Sequence, residues 1–194
     1  VATPTELLWA LIGLILTIGG TFLEGFVTNP PWAWAGNGFH TYSLGVTFQV
    51  GAVLLTGCMG GKKAGLIAQM AYLLLGLTWL DVFTQGGGLD YITRPTFGYL
   101  LGFIPGAWVC GFLAFKVPTR LESLAFSCLG GLLVIHLTGM VYLAIARGLQ
   151  WVDLAQSSLW DTILVYSIYP FPGHLAIVCA VTVIAFFLRS VMFY

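Results

Sequence analysis

Long stretches without Asp, Glu, Lys or Arg set the pattern of the chain. They run from Leu7 to Leu23, Gly25 to Gly61, Ala64 to Leu80, Pro95 to Phe115, Ser123 to Ala146 and Thr162 to Leu188. A helix needs about 20 mainly apolar residues to cross a bilayer core, and each stretch can supply one. The second stretch is broken by Asn29-Pro30-Pro31, a strong helix stop. It therefore divides into a loop over Gly25–His40 and a helix from about Thr41 to Cys58. The pattern predicts an all-α integral membrane protein with six transmembrane helices in a single domain, 1–194. Connecting loops fall near 25–40, 84–96 and 147–170. A β-barrel would need segments of about ten residues alternating apolar and polar. Leu66–Leu80 and Leu129–Ala146 do not alternate.

Composition supports this class. Of 194 residues 59% are hydrophobic and 7% charged, against roughly 25% charged in soluble domains. That excludes a soluble enzyme, a nucleic-acid binder and a disordered chain. Seven basic residues balance seven acidic ones, so no net charge recruits an anionic polymer. Glu6 precedes the first apolar run, and no small-residue cleavage site is evident before Glu24. The first run therefore reads as a span rather than a signal peptide.

The few cations predict the orientation. With six spans, Lys62, Lys63, Lys116, Arg120 and Arg189 fall on one side together with both termini, and Arg94 and Arg147 on the other. The positive-inside rule makes the first side cytoplasmic. The long loops, and any ligand site among them, then face outward. In the third of these loops Trp151, Leu154, Ala155, Leu159 and Ile163 recur at helical spacing, with Asp153, Gln156, Ser157 and Asp161 opposite. This predicts an amphipathic helix, either a connector resting on the membrane or a lid over a site.

Little in the sequence points to catalysis. There is no nucleophile–base pairing, no H-E-x-x-H and no Walker A motif. Any energy coupling must come from another chain. Cys58, Cys110, Cys128 and Cys179 are far apart in sequence and form no CxxC. They read as small packing residues, and no metal, cofactor or disulfide framework is expected. His136 lies mid-span. It reads as hydrogen-bonded to a neighbouring helix or, alternatively, as an axial ligand for a macrocycle. His40 and His174 lie near the expected external mouth. Gln49 and Gln69 read as helix–helix bonds or cavity lining. Ala10, Gly13, Thr17 and Gly20 share one face of the first helix. Such a stripe lets another helix approach, within this chain or in another subunit.

The segment 80–100 carries the most information. Leu80-Asp81-Val82-Phe83 is followed by Gly86-Gly87-Gly88, then by Arg94-Pro95-Thr96-Phe97-Gly98-Tyr99-Leu100. Gly-rich backbone beside Pro and Thr can approach a ligand closely and offer it N–H groups. The segment resembles the substrate-binding loop of the BioY family, the biotin-specific S components of energy-coupling factor transporters. That pattern is roughly L-P-V-F, a Gly-rich stretch and G-P-T-G-G-Y-L. Pro170-Phe171-Pro172-Gly173 resembles the family's C-terminal signature with one residue deleted. Asp81, Arg94 and Phe97 depart from the loop pattern. His174 and Ile177 stand where the family carries Asp and Lys.

The resemblance implies an S-component-like bundle that captures biotin or a related small molecule outside. Its partners would be a transmembrane coupling subunit and ATPase subunits. Ligand contacts are expected at Gly87, Gly88, Arg94, Thr96, Tyr99 and His174, with Arg94 on a carboxylate and glycine N–H groups on a carbonyl. The family's Ala-x-x-x-Ala docking motif is not present as such, and Gly13 and Thr17 offer a small-residue pair at the same spacing. The alternative is a repurposed accessory subunit of a larger membrane complex, rich in pigment or lipid, that does not bind biotin.

Overall fold

The computed structural model describes residues 2–33, 38–151 and 158–192. Among them five helices are long and apolar enough to cross a membrane, by length and composition. They are α1 (Pro4–Thr21), α2 (Gln49–Thr78), α3 (Phe97–Lys116), α4 (Leu121–Gly148) and the run Leu159–Met192. The last run consists of α5 (Leu159–Ile163), a π-helical turn (Leu164–Ile168) and α6 (Phe171–Met192). Strands β1 (Glu24–Thr28) and β2 (Thr41–Thr47) pair antiparallel between α1 and α2.

Helix α1 starts where local chemistry starts it. Thr3 caps the Glu6 N–H, Glu6 returns a bond to the Thr3 N–H, and Pro4 occupies the first turn. Its stripe of small residues is fully used within the chain. Ala10, Gly13, Thr17 and Gly20 are all buried. A Cβ at Gly13 would lie 2.3 Å from Thr56 Cγ2, and one at Gly20 would lie 3.0 Å from the backbone of Phe48. Gln69 Nε2 donates to Thr17 Oγ1 at 3.1 Å. Gly13 and Thr17 are therefore covered by α2, so of the two expected partners for this face the one within the chain occupies it.

Helix α2 doubles back on itself. A straight helix would separate Gln49 from Tyr72 by roughly 34 Å at ~1.5 Å per residue. Instead Gln49 Nε2 donates to Tyr72 Oη at 2.7 Å. The reversal is at Gly61, with φ 77° and ψ −177°, a region essentially reserved for glycine. Residues 49–60 and 62–78 are therefore two antiparallel arms. The seam between them receives α3, where Gly57 and Gly65 both face Ala107. Small residues on all three surfaces allow this close approach.

The expected helix from Thr41 is corrected at its start, because residues 41–47 are strand. Thr41-Tyr42-Ser43-Leu44-Gly45-Val46-Thr47 alternates with period two and is rich in β-formers. Gly45, at φ 65°, sits in an irregular stretch of the β1–β2 register. Val46 is buried while Tyr42 stays exposed.

The cations Lys62, Lys63, Lys116 and Arg189 gather at one end. Lys63 pairs with Glu6 at 3.7 Å. Lys62 and Lys116 both lie over the Phe112 ring. Arg189 donates to the Ala114 carbonyl and covers Phe115. The strand pair and the loop around 80–96 lie at the opposite end. The amphipathic helix expected from Trp151 falls partly on residues 152–157, outside the described residues. The described part beyond it is helical from Leu159 and continues into the last span.

Candidate functional site

The glycine-rich loop closes on the end of α2. Phe83 and Gly86 exchange backbone bonds of 2.9 and 3.1 Å, and the Gly88 N–H donates to the Gly76 carbonyl at 2.8 Å. Gly86 and Gly88 have φ of 108° and 87°, so L side chains would strain both turns. The Phe83 ring lies on Gly76, where a Cβ would come within 2.2 Å of it. Tyr72 and Tyr91 flank that ring at 5.4 and 4.7 Å. Gly87 is tight against the Gly76 and Leu80 carbonyls and Asp81. Gly87 and Gly88 thus fix the loop's shape. The Gly88 N–H is already committed to Gly76, which corrects the expectation that it donates to a ligand.

Directly beneath the loop is a cavity of about 210 Å³. This is small beside the roughly 300–1,000 Å³ of most ligand sites. Several elements build it. Gly45 and Val46 come from β2, Gln49 and Val50 from the first turn of α2, and Thr96 and Tyr99 from the start of α3. His136 comes from α4, Tyr166 from the π turn, and Pro170 and His174 from the last span. The π turn is wound wide, with the Tyr169 N–H reaching the Leu164 carbonyl. Two features let β2 close over α6. Pro170 and Pro172 start that helix without N–H donors. Gly173 lies so near β2 that a Cβ there would meet the Leu44 carbonyl at 2.6 Å.

The polar groups in the cavity are tied to one another. His136 Nε2 and His174 Nδ1 are 3.3 Å apart. This is the helix partner that a mid-span histidine requires. His136 Nδ1 is buried without a hydrogen-bond partner, while its ring meets the edges of Tyr99 and Phe171. Tyr99 Oη and Ser167 Oγ are 2.7 Å apart. The Tyr99 ring rests on Gly139, where a Cβ would come within 2.5 Å of it. Thr96 Oγ1 donates to Tyr91 Oη at 3.1 Å. Burial pushes the Tyr91 phenol above its ordinary value, so it stays neutral and able to donate.

Of the six expected contacts, Thr96, Tyr99 and His174 line the cavity, and Gly87, Gly88 and Arg94 do not. Arg94 is exposed and, among the described residues, makes no ion pair with Asp81. Phe97 turns away onto Tyr142, with ring centres 5.7 Å apart, so it does not fill the cavity. Ile177 packs on Gly51 instead of facing the cavity. Sequence reading missed Tyr91, Tyr166 and the pairing of His136 with His174. The lining carries hydroxyl, amide and imidazole groups on an apolar frame. It has no carboxylate, ammonium or guanidinium among the described residues. Such a site recognises a ligand by hydrogen bonds and shape rather than by formal charge.

The family model described as "BioY family" matches residues 32–193. The chain belongs to the BioY family. A probable biotin transporter BioY of Lysinibacillus sphaericus is 38% identical over 113 residues, 57% of this chain and 57% of that protein. An uncharacterized 21.2 kDa protein from the psbX-ycf33 intergenic region of Cyanophora paradoxa is 26% identical over 191 residues, 96% of this chain and 95% of that one. The crystal structure of the S-component for biotin from an ECF-type ABC transporter superposes with a TM-score of 0.71. It covers 98% of this chain and 95% of that chain at 19% identity, so this chain and that S-component share a fold.

Proposed function

We propose that this chain is the substrate-binding membrane subunit of a vitamin-uptake system. It captures biotin or a chemically related small molecule from the external side. It works with a transmembrane coupling subunit and separate ATPase subunits, and it performs no chemistry of its own. The cavity ringed by Thr96, Tyr99, His136 and His174 carries this reading. It lies beneath the loop in which the BioY resemblance is strongest, at the end opposite the clustered cations. We further propose six membrane crossings, counting the two arms of α2 separately. Both termini would be cytoplasmic, following Lys62, Lys63, Lys116 and Arg189.

Thr96, Tyr99 and His174 are the proposed contacts. Gly87 and Gly88 act through the loop they close, and Arg94 stands outside the cavity. Equilibrium dialysis of labelled biotin against the purified chain in detergent tests the reading. Saturable binding is expected, weakened at least roughly tenfold by Tyr99→Ala or His174→Ala through lost hydrogen bonds of about 1–1.5 kcal/mol each plus lost packing. Arg94→Ala should bind like the parent. No saturable binding would sink the proposal.

A second reading rests on the uncharged lining and on His174 and Ile177 at the family's charged positions. There the same scaffold is an accessory subunit of a larger membrane complex and does not bind biotin. Purification from native membranes in mild detergent separates the two. Co-purifying ATPase subunits support uptake, and a large assembly without them supports the accessory role.

A further inference from the structure

Away from the cavity, three cysteines from three helical segments meet in the core. Cys58 lies on the first arm of α2, Cys110 on α3 and Cys128 on α4. All three side chains are fully buried. Cys58 Sγ is 3.6 Å from Cys110 Sγ and 3.5 Å from Cys128 Sγ, and all three sulfurs lie within 4.8 Å of one another. Their sequence separations of 52 and 70 residues explain why no motif announces them.

We propose that Cys58, Cys110 and Cys128 form a buried binding site for a soft monovalent metal ion of the Cu(I) class. The donor set is the first argument. Three sulfur ligands, with no imidazole or carboxylate grouped with them among the described residues, suit a soft ion content with two or three thiolates. Zinc takes four ligands in structural sites. On the last span the Thr182 hydroxyl lies beside Cys128. It is buried without a hydrogen-bond partner, and a neutral hydroxyl is a poor zinc ligand.

Spacing is the second argument. A trigonal ion with metal–sulfur bonds of about 2.3 Å separates its sulfurs by about 4.0 Å. Each sulfur of the closer pairs needs to move outward by only roughly 0.2 Å, a shift that rotation about the Cys side-chain bond supplies.

Charge is the third argument. One Cu(I) replaces the protons of two thiols, the third cysteine stays a thiol, and two protons leave to water. The bound cluster then carries one negative charge. The Arg189 guanidinium acts on Cys58 electrostatically and offsets part of this charge.

A cavity also lies next to the cluster along the chain. Met59 and Gly111, the residues after Cys58 and Cys110, line this cavity of about 470 Å³ at the end of the bundle that carries Lys62 and Lys116. Met59 puts a thioether, itself a soft donor, beside that cavity.

The test uses the full chain, purified anaerobically in detergent with a non-thiol reductant. Cu(I) alone is titrated against a chromophoric Cu(I) chelator, with Zn(II) in a parallel titration. One Cu(I) per chain should resist the competitor, and X-ray absorption should place two to three sulfurs around it. Cys110→Ser and Cys128→Ala should each weaken retention by at least roughly 100-fold. Cys179→Ser, which changes an exposed cysteine, should not. The absorption spectrum is read on the parent protein, so poor folding of a cysteine variant does not decide the matter. The proposal is overturned if the parent retains no Cu(I), if its copper shell is mostly nitrogen or oxygen, or if Zn(II) is held as tightly.

Discussion

Tyr72 is the residue whose loss the structure allows us to price most directly. It is fully buried, and its hydroxyl joins three parts of the chain. It donates to the Val82 carbonyl at 2.9 Å, accepts from Gln49 Nε2 at 2.7 Å and lies 3.2 Å from Thr21 Oγ1. The first bond holds the glycine-rich loop, the second clamps the two arms of α2, and the third reaches α1. Tyr72→Phe keeps the ring and its packing on Phe83 but removes all three bonds. Thr21 retains its bond to the Thr17 carbonyl. The Val82 carbonyl, on a buried residue, is left without this donor, and the Gln49 amide, which lines the cavity, loses its Tyr72 bond.

The stranded Val82 carbonyl costs about 1–3 kcal/mol and the lost Gln49 bond about 1 kcal/mol, which predicts a loss of about 2–4 kcal/mol. For a chain of this size 1 kcal/mol corresponds to about 2–4 °C of melting temperature. Thermal unfolding in a fixed detergent should therefore show a fall of roughly 5–15 °C. Tyr169→Phe, at an exposed position, is the control and should leave the melting temperature unchanged. The double variant Tyr72→Phe with Gln49→Leu should lose less than the sum of the single changes, because the pair is removed together. If Tyr72→Phe melts with the control, or the two changes add without coupling, the clamp does not contribute as described.

Three further outcomes follow from other contacts. Gly61→Ala forces an L residue to φ 77° and should destabilise the reversal of α2 by about 1–3 kcal/mol, visible as a lower melting temperature with ligand absent. Gly139→Ala should push Tyr99, whose ring would lie 2.5 Å from the new Cβ, and weaken biotin binding without altering any cavity-lining residue; unchanged affinity would remove Tyr99's seat from the account. In a Cys179→Ser background, a cysteine replacing Lys63 should react with a membrane-impermeant thiol reagent only from the cytoplasmic side, and one replacing Arg147 only from outside. The reverse pattern would invert the proposed topology.

Much of the scaffold was legible in the sequence because membrane spans are defined by what they lack. Stretches without charge located α1, α3, α4 and the last span, and Lys62-Lys63 marked the point where α2 reverses. Absence of charge says nothing about backbone conformation, so it could not separate strand from helix over residues 41–47. The alternation of Tyr42, Leu44 and Val46 could have done so. The small-residue stripe on α1 showed that something packs closely there. Only the structure identified that partner as α2, with Thr56 over Gly13 and Gln69 bonded to Thr17.

The site was less legible, and the reason is distance along the chain. His136 and His174 are 38 residues apart, and nothing local in either segment encodes their meeting. The same holds for the three core cysteines. The glycine loop was conspicuous, yet a glycine that lets backbone approach a ligand looks identical in sequence to one that lets backbone approach a helix. Here the Gly88 N–H faces Gly76, so the loop shapes the roof while side chains beneath it line the cavity. That division gives the loss of family charges a physical meaning. With Ile177 packed on Gly51 and His174 bonded to His136, neither altered position brings a carboxylate or an ammonium to the cavity. Binding in such a cavity must come from neutral hydrogen bonds at about 1 kcal/mol each and from apolar burial. Affinity should therefore depend on ligand shape and little on salt. A strong salt dependence of biotin binding would show that a charged contact outside this cavity, with Arg94 the first to examine, carries the recognition instead.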